Sequence, residues 1–382
     1  MANNAAHNTA TTVIGNRATP DVSLNVAAVA AGSALSGGTD AFSWSAADGL
    51  VNGKELVVST TGSFGTGPTK QIVMGFGQGF LYDNSVGTSL SSHTDALSNE
   101  DWSYSAVYGA KKVVLENGIR ALLTDESNEN SSGSLVPGFH GWDAGANLAN
   151  DEKLFISRLT KARATAVGVG GSTSQYKEVR LSDQNGFGTN GDNYLKINPG
   201  NLSHSTGGGV WTLESDSNTL YSGPGPAMGD KWARLDNIIE MGTLGTDDGS
   251  VIGTTISPGT DSVIRNDDYI FSSGATSKSA IMHSSGMRTR WVLFQEYFSY
   301  GTEVEIFVSD YLIQIGSFAR VELADTDDPS TTTEAYILPV KSWSTSTVTL
   351  HLWKAFFSSF TGKFLHFYDE DNVFQRSVEV TT

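Results

Sequence analysis

Between Trp291 and Asp310 the chain runs Trp-Val-Leu-Phe-Gln-Glu-Tyr-Phe-Ser-Tyr-Gly and then Thr-Glu-Val-Glu-Ile-Phe-Val-Ser-Asp. From Val304 to Val308, Val, Ile and Val alternate with Glu305 and Phe307, the period of two that lays one side of a strand on a core. With Gly301 between them, the two runs read as an antiparallel hairpin. A lone hairpin with this much apolar surface is not stable in water, so a second sheet has to cover it, and the pattern predicts a β-sandwich.

Similar short runs recur along the chain: Leu56-Val57-Val58, Ile72-Val73-Met74, Trp102 to Tyr108, Tyr176 to Leu181, Tyr194 to Ile197 and Val210 to Glu214. Val113-Val114-Leu115 and Ile119 to Leu123 flank Asn117-Gly118, the strongest short hairpin signal, because both turn positions tolerate positive φ. Asn150 to Gly168 is the best candidate for a helix and reads equally as a strand. After residue 315, strand-like runs at Phe318 to Leu323, Tyr336 to Pro339, Val348 to Leu352 and Phe364 to Tyr368 follow at the spacing of a small immunoglobulin-like sandwich. Residues 1–40 contain no Phe, Trp or Tyr and read as an extended arm that orders against a partner or another subunit. The division expected is an arm at 1–40, lead-in strands at 41–68, a large jelly roll at 69–314 and a small sandwich at 315–382.

Composition supports the all-β reading: 42 glycines among 382 residues suit a chain of many turns. Lys and Arg number 24 against 41 Asp and Glu, a net charge of −17. Nucleic acid and anionic membrane are therefore poor partners, since both require a basic patch, and an acidic surface suits a saline setting. There is no cysteine, which excludes disulfides and thiolate chemistry. No signal peptide is read at the N-terminus, so synthesis in a cytoplasm is expected.

Two stretches stand out as candidate sites. Phe139-His140-Gly141-Trp142-Asp143 lies in a polar, glycine-rich region, where ring faces beside a carboxylate would pack on a sugar and bond its hydroxyls. The bland alternative is that Phe139 and Trp142 plug the end of the sandwich. Asp183, Asn185, Asn190, Asp192 and Asn193 offer hard oxygen ligands for Ca²⁺ between glycines, with an ordinary turn cluster as the alternative. Catalytic signals are weaker. Glu303 and Glu305 are spaced as an acid/base pair, but a sandwich hydrolase pattern Glu-x-Asp-x-Glu has Phe307 in its last position here, and the Gln-Ile-His of alginate-lyase-like jelly rolls is replaced by Gln314-Ile315-Gly316. The seven histidines show no metal-ligand spacing. The chain is therefore expected to be a non-enzyme.

Lys231-Trp-Ala-Arg-Leu235 with Gly245-Thr-Asp-Asp-Gly-Ser250, and Ile306-Phe-Val-Ser-Asp-Tyr311 with Ser317-Phe-Ala-Arg-Val-Glu-Leu323, resemble concanavalin A-like (LamG-type) jelly-roll proteins of marine tailed bacteriophages. Ile337-Leu-Pro, Ser342-Trp-Ser and Val348-Thr-Leu resemble the Ig-like unit that ends them. The resemblance spans roughly residues 60–382 and implies an antiparallel jelly-roll sandwich, a C-terminal Ig-like β-sandwich and an N-terminal arm. It further implies a structural protein at the virion surface, as capsid decoration, head fibre or tail part. Its partners would be other virion proteins and copies of itself, with a trimer as the expected form, and its jelly roll would contact a cell-surface glycan. The alternatives are a polysaccharide-degrading tailspike, lyase or hydrolase, and a cement protein with no glycan site.

Overall fold

The computed structural model describes residues 10–14, 22–27, 41–105, 111–125, 139–146, 148, 152–164, 176–182, 194–198, 209–215, 219–225, 232–240, 250–256, 289–298 and 304–381. In chain order the elements are β1 (Ala10–Ile14), β2 (Val22–Ala27), β3 (Ala41–Ala46), β4 (Glu55–Thr60), β5 (Lys70–Met74), the single-turn helix α1 (Phe80–Asp83), β6 (His93–Thr94), β7 (Asp101–Ser105), β8 (Lys112–Glu116) and β9 (Ile119–Asp125). Then come β10 (Phe139–Asp143), β11 (Lys153–Ala164), β12 (Tyr176–Ser182), β13 (Tyr194–Asn198), β14 (Gly209–Ser215), β15 (Thr219–Gly225), β16 (Ala233–Glu240), β17 (Ser250–Ile256) and β18 (Trp291–Phe298). The chain closes with β19 (Val304–Ile315), β20 (Arg320–Ala324), β21 (Ala335–Leu338), β22 (Val340–Trp343), β23 (Thr347–His351), β24 (Phe364–Tyr368) and β25 (Phe374–Glu379).

The protein is all-β and antiparallel, and among the described residues the strands form four sheets. An eight-stranded sheet, β15-β14-β13-β12-β18-β10-β7-β6, faces a seven-stranded one, β17-β16-β11-β19-β9-β8 with β5 on β19. Between them lies a core that includes Ile72, Trp102, Trp142, Val292, Phe294, Ile306, Val308, Tyr311 and Ile313. The back of the seven-stranded sheet, through Val73, Phe155, Leu159, Phe307 and Leu312, joins a second core with Trp44, Val58, Leu323, Leu350 and Phe367 of the small sandwich.

That small sandwich pairs a four-stranded sheet, β21-β20-β24-β25, with a six-stranded one, β1-β2-β3-β4-β23-β22. β4 lies against β23, with Val58 opposite Val348 and Leu56 opposite Leu350. The C-terminal strands thus share a sheet with residues 41–60 and, through β2, with strand segments of the first forty residues.

The Asn117-Gly118 hairpin forms as read: Glu116 pairs with Ile119, and the turn residues have φ of 50° and 83°. The hairpin expected over 291–310 does not form. β18 pairs with β10 and β12 in one sheet, while β19 pairs with β11, β9 and β5 in the other. Val292 and Phe294 meet Ile306 and Val308 across the sandwich instead. The alternation is that of two strands with one buried face each, and it is the same whether they lie side by side or face to face.

β19 also changes parity along its length. Ile306 and Val308 face the main core, then Tyr311, Ile313 and Ile315 do. The shift is a β-bulge: between Ser157–Leu312 and Leu159–Ser309, β11 has one residue and β19 two. Asp310 absorbs the extra residue at φ 51°.

Candidate functional site

The structure buries two residues of the expected glycan platform, His140 and Trp142. Phe139 to Asp143 form β10, a strand between β18 and β7. His140 and Trp142 are 1% and 2% exposed, so neither ring is offered to a ligand. The physical reason is period two: the residues of one parity on an inner strand belong to the core. His140 sits with ring centroids of Trp102, Phe294 and Tyr311 at 5.9, 5.4 and 4.7 Å. The buried Lys111 ammonium donates to its Nδ1 at 2.9 Å. Burial first and the Lys111 charge second hold the imidazole far below its ordinary pKa, so it stays neutral. Trp142 turns its Nε1–H to the rim, donating to Glu100 at 3.1 Å, with Lys70 over its ring and paired to Glu100 at 2.6 Å.

Asp143 points the other way, to the outer side of the eight-stranded sheet. Arg290 grips it at two points, Nε to Oδ1 at 2.7 Å and an Nη to Oδ2 at 2.9 Å, and the Gly145 amide donates at 2.8 Å. Burial pushes this carboxyl up, but the Arg290 and Gly145 hydrogen bonds outweigh it and hold it below the usual carboxylate range. The side chain of Phe139 is outside the described residues, as are the calcium candidates Asp183, Asn185, Asn190, Asp192 and Asn193. Among the described residues no group of three or more His, Asp or Glu is placed to hold a metal.

Of the carboxylate pair, Glu303 lies outside the described residues. Glu305 is on the other sheet, where it accepts from Arg163 at 3.1 Å. Gln314, within the stretch where a Gln-Ile-His motif would sit, is a bracket: it accepts from Gln71 at 2.6 Å and donates to the carbonyls of Ser317 and Ala319.

What sequence reading missed is a line of ionisable residues in register across three strands of the eight-stranded sheet. Val179 and Leu181 on β12 enter the main core, so Arg180 between them takes the outer side. Arg180 is in register with Leu293 on one flank and with Lys196 of β13 on the other, and Lys196 is in register with Glu214 of β14. Arg180 is 7% exposed and its neighbour Ser182 1%. Arginine, lysine and glutamate thus occupy consecutive register positions on β12, β13 and β14. Each residue was visible in its own run, but pairing partners 16 and 18 residues apart along the chain become a row only when the registers are known.

No protein-family model matches the chain, and no curated protein matches it either. Among solved structures, an alginate lyase, a mutant bound to alginate trisaccharide, is similar at 8% identity and TM-score 0.36, over 65% of this chain and 98% of its own. A marine alginate lyase from Aplysia kurodai is similar at 12% identity and TM-score 0.35, over 59% and 88%. The binding domain of botulinum neurotoxin serotype G follows at 8% identity and TM-score 0.22. These likenesses concern the arrangement of sheets and transfer no residue role. They do correct the expectation of a non-enzyme, since proteins named as lyases stand among the structures similar to this chain.

Proposed function

We propose that the chain is a polysaccharide-degrading β-sandwich protein that acts on an anionic glycan at the side of the eight-stranded sheet carrying Arg180. The observation that carries this reading is the register row Arg180, Lys196, Glu214. Cleaving a sugar acid needs positive charge where the sugar carboxylate gathers electron density, and a group that takes or gives a proton beside it. In an elimination, a base removes the proton next to the carboxylate. Its electron pair becomes a C=C bond, the C–O bond to the next sugar breaks, and the departing oxygen takes a proton. In a hydrolysis a protein carboxylate would take a proton from the attacking water, and the departing oxygen would take one from an acid. An arginine on that strand would hold a sugar carboxylate by charge-assisted hydrogen bonds.

The test is turnover of alginate, other polyuronates and a neutral glucan by the full chain, reading unsaturated ends by ultraviolet absorbance and reducing ends chemically. Acidic polymers should be cut and the neutral one left intact. Lys196→Ala and Glu214→Gln should each lower kcat/KM by about a hundredfold or more without moving the melting temperature. Intact acidic polymers, or full activity in both variants, would overturn the reading. On a phage particle such an activity would be that of a tailspike, the alternative to a structural virion protein; mass spectrometry of purified particles that contain the chain checks that setting.

A further inference from the structure

We propose that Asp310 is a proton-operated clasp between the large and small sandwiches: taking up a proton tightens the joint, and releasing it loosens the joint. The clasp is independent of the catalytic reading above.

The carboxyl sits where the two units meet. Its Oδ1 accepts from the Phe76 amide at 2.7 Å and from the Ser309 hydroxyl at 3.2 Å, and its Oδ2 accepts from Trp353 Nε1 at 2.7 Å. Phe76 follows β5 of the seven-stranded sheet, whereas Trp353 follows β23 of the small sandwich. One side chain therefore bonds both units. Beside the carboxyl lies a cavity of about 10 Å³ lined by Asp310, Phe76, Ser157, Tyr336 and Trp353, room for about one water. The local backbone is built for this contact. Asp310 holds its positive φ at the bulge, and Gly75 passes so close that a Cβ there would lie 2.6 Å from Oδ1 and 2.9 Å from the Asp310 nitrogen.

The charged and titratable groups around it do not cancel its charge. Arg234 of β16 lines the same cavity, but it is matched by Asp236 and Glu322, each at 2.7 Å. Arg158 of β11 lines the cavity and is turned to the Leu235 carbonyl and the Asn237 side chain. Tyr82 of α1 and Tyr336 of β21, the latter bonded to Glu334, are both pushed upward, by burial first, and keep their protons. Arg120 of β9 reaches the carbonyls of Leu81 and Asn84 beside Tyr82. Burial therefore prevails over the three hydrogen bonds, and the Asp310 carboxyl is raised to about 6.

Opening the joint returns the carboxyl to water and to its ordinary acidity. Because the closed state binds the proton more tightly, closure is most favoured below the ordinary carboxylate pKa and weakens as pH rises through about 6. Between pH 4.5 and 7 the opening equilibrium should rise about twentyfold.

Hydrogen exchange of the full chain, read in peptides covering Phe76 and Trp353 and corrected for intrinsic exchange rates, tests this. Wild type should show the rise, and Asp310→Asn should show none. Should that variant fail to fold, Trp353→Phe removes a donor to the carboxylate and should move the transition to higher pH. A flat wild-type profile, an opening that grows toward acid, a wild-type-like profile in Asp310→Asn, or an unmoved transition in Trp353→Phe would each overturn the clasp.

Discussion

At the scale of single residues, the same carboxyl chemistry is turned in opposite directions by its surroundings. Asp143 is half-exposed and bonded by Arg290 and Gly145, so its pKa is lowered; its contribution to stability is present above the ordinary carboxylate pKa and is lost as pH falls through the folded value. Asp310 is buried and raised to about 6, so its contribution is present at low pH and lost as pH rises through that value. Denaturation of Asp143→Asn should flatten the acid limb of the pH–stability curve, whereas Asp310→Asn should flatten the limb between about pH 4 and 6. Arg234 marks a third case. Burial works against its charge, but Asp236 and Glu322 outweigh burial and hold it protonated. Arg234→Met would leave two buried carboxylates facing each other, and a loss of about 3–5 kcal/mol is expected in urea unfolding.

At the scale of elements, glycines at positive φ divide by what surrounds them. Gly118, at φ 83° in the β8–β9 turn, has nothing within 4 Å of the place a Cβ would take. Gly118→Ala should therefore cost only the backbone term, about 1 kcal/mol. Gly75 meets the Asp310 carboxylate and backbone, so Gly75→Ala should cost clearly more and disturb Trp353 fluorescence. The bulge in β19 has a sharper consequence, because side chains alternate with period two. Deleting Ser309 would remove the extra residue and leave Ile306, Val308, Tyr311, Ile313 and Ile315 on one side of the sheet by plain period two, and the expected result is a chain that still melts cooperatively but has lost the placement of Asp310 against Phe76 and Trp353. Period two was legible from Val304 to Val308, but its slip at Ser309-Asp310 was not, because an alternation that slips reads equally as a strand end.

At the scale of the whole molecule, the small sandwich is stitched from distant pieces. Phe42, Trp44, Leu56 and Val58 share its core with Val348, Leu350, Leu365 and Phe367, so residues 41–60 are part of what folds the C-terminal strands. A fragment beginning at residue 61 should lose the near-ultraviolet circular dichroism of that unit, and adding back a peptide of residues 41–68 should restore it. The joint to the large sandwich is made both of apolar contacts on the back of the seven-stranded sheet and of buried ion pairs through Arg234 and Glu322. Such a mixture ties the position of one unit to the other, since a buried charge that slides off its partner is costly.

Local pattern alone determined that this chain would be antiparallel sheet in sandwich form, that Asn117-Gly118 would turn a hairpin, and that the runs at 318–323, 348–352 and 364–368 would hold strands, because propensity, turn chemistry and period two act over a few residues. Which strand lies beside which was decided by the tertiary structure. The face-to-face placement of β18 and β19, the burial of His140 and Trp142, and the row Arg180, Lys196, Glu214 all depend on pairings between distant segments. The same alternation is satisfied by several partners in the chain, and only the packing of the complete core selects one.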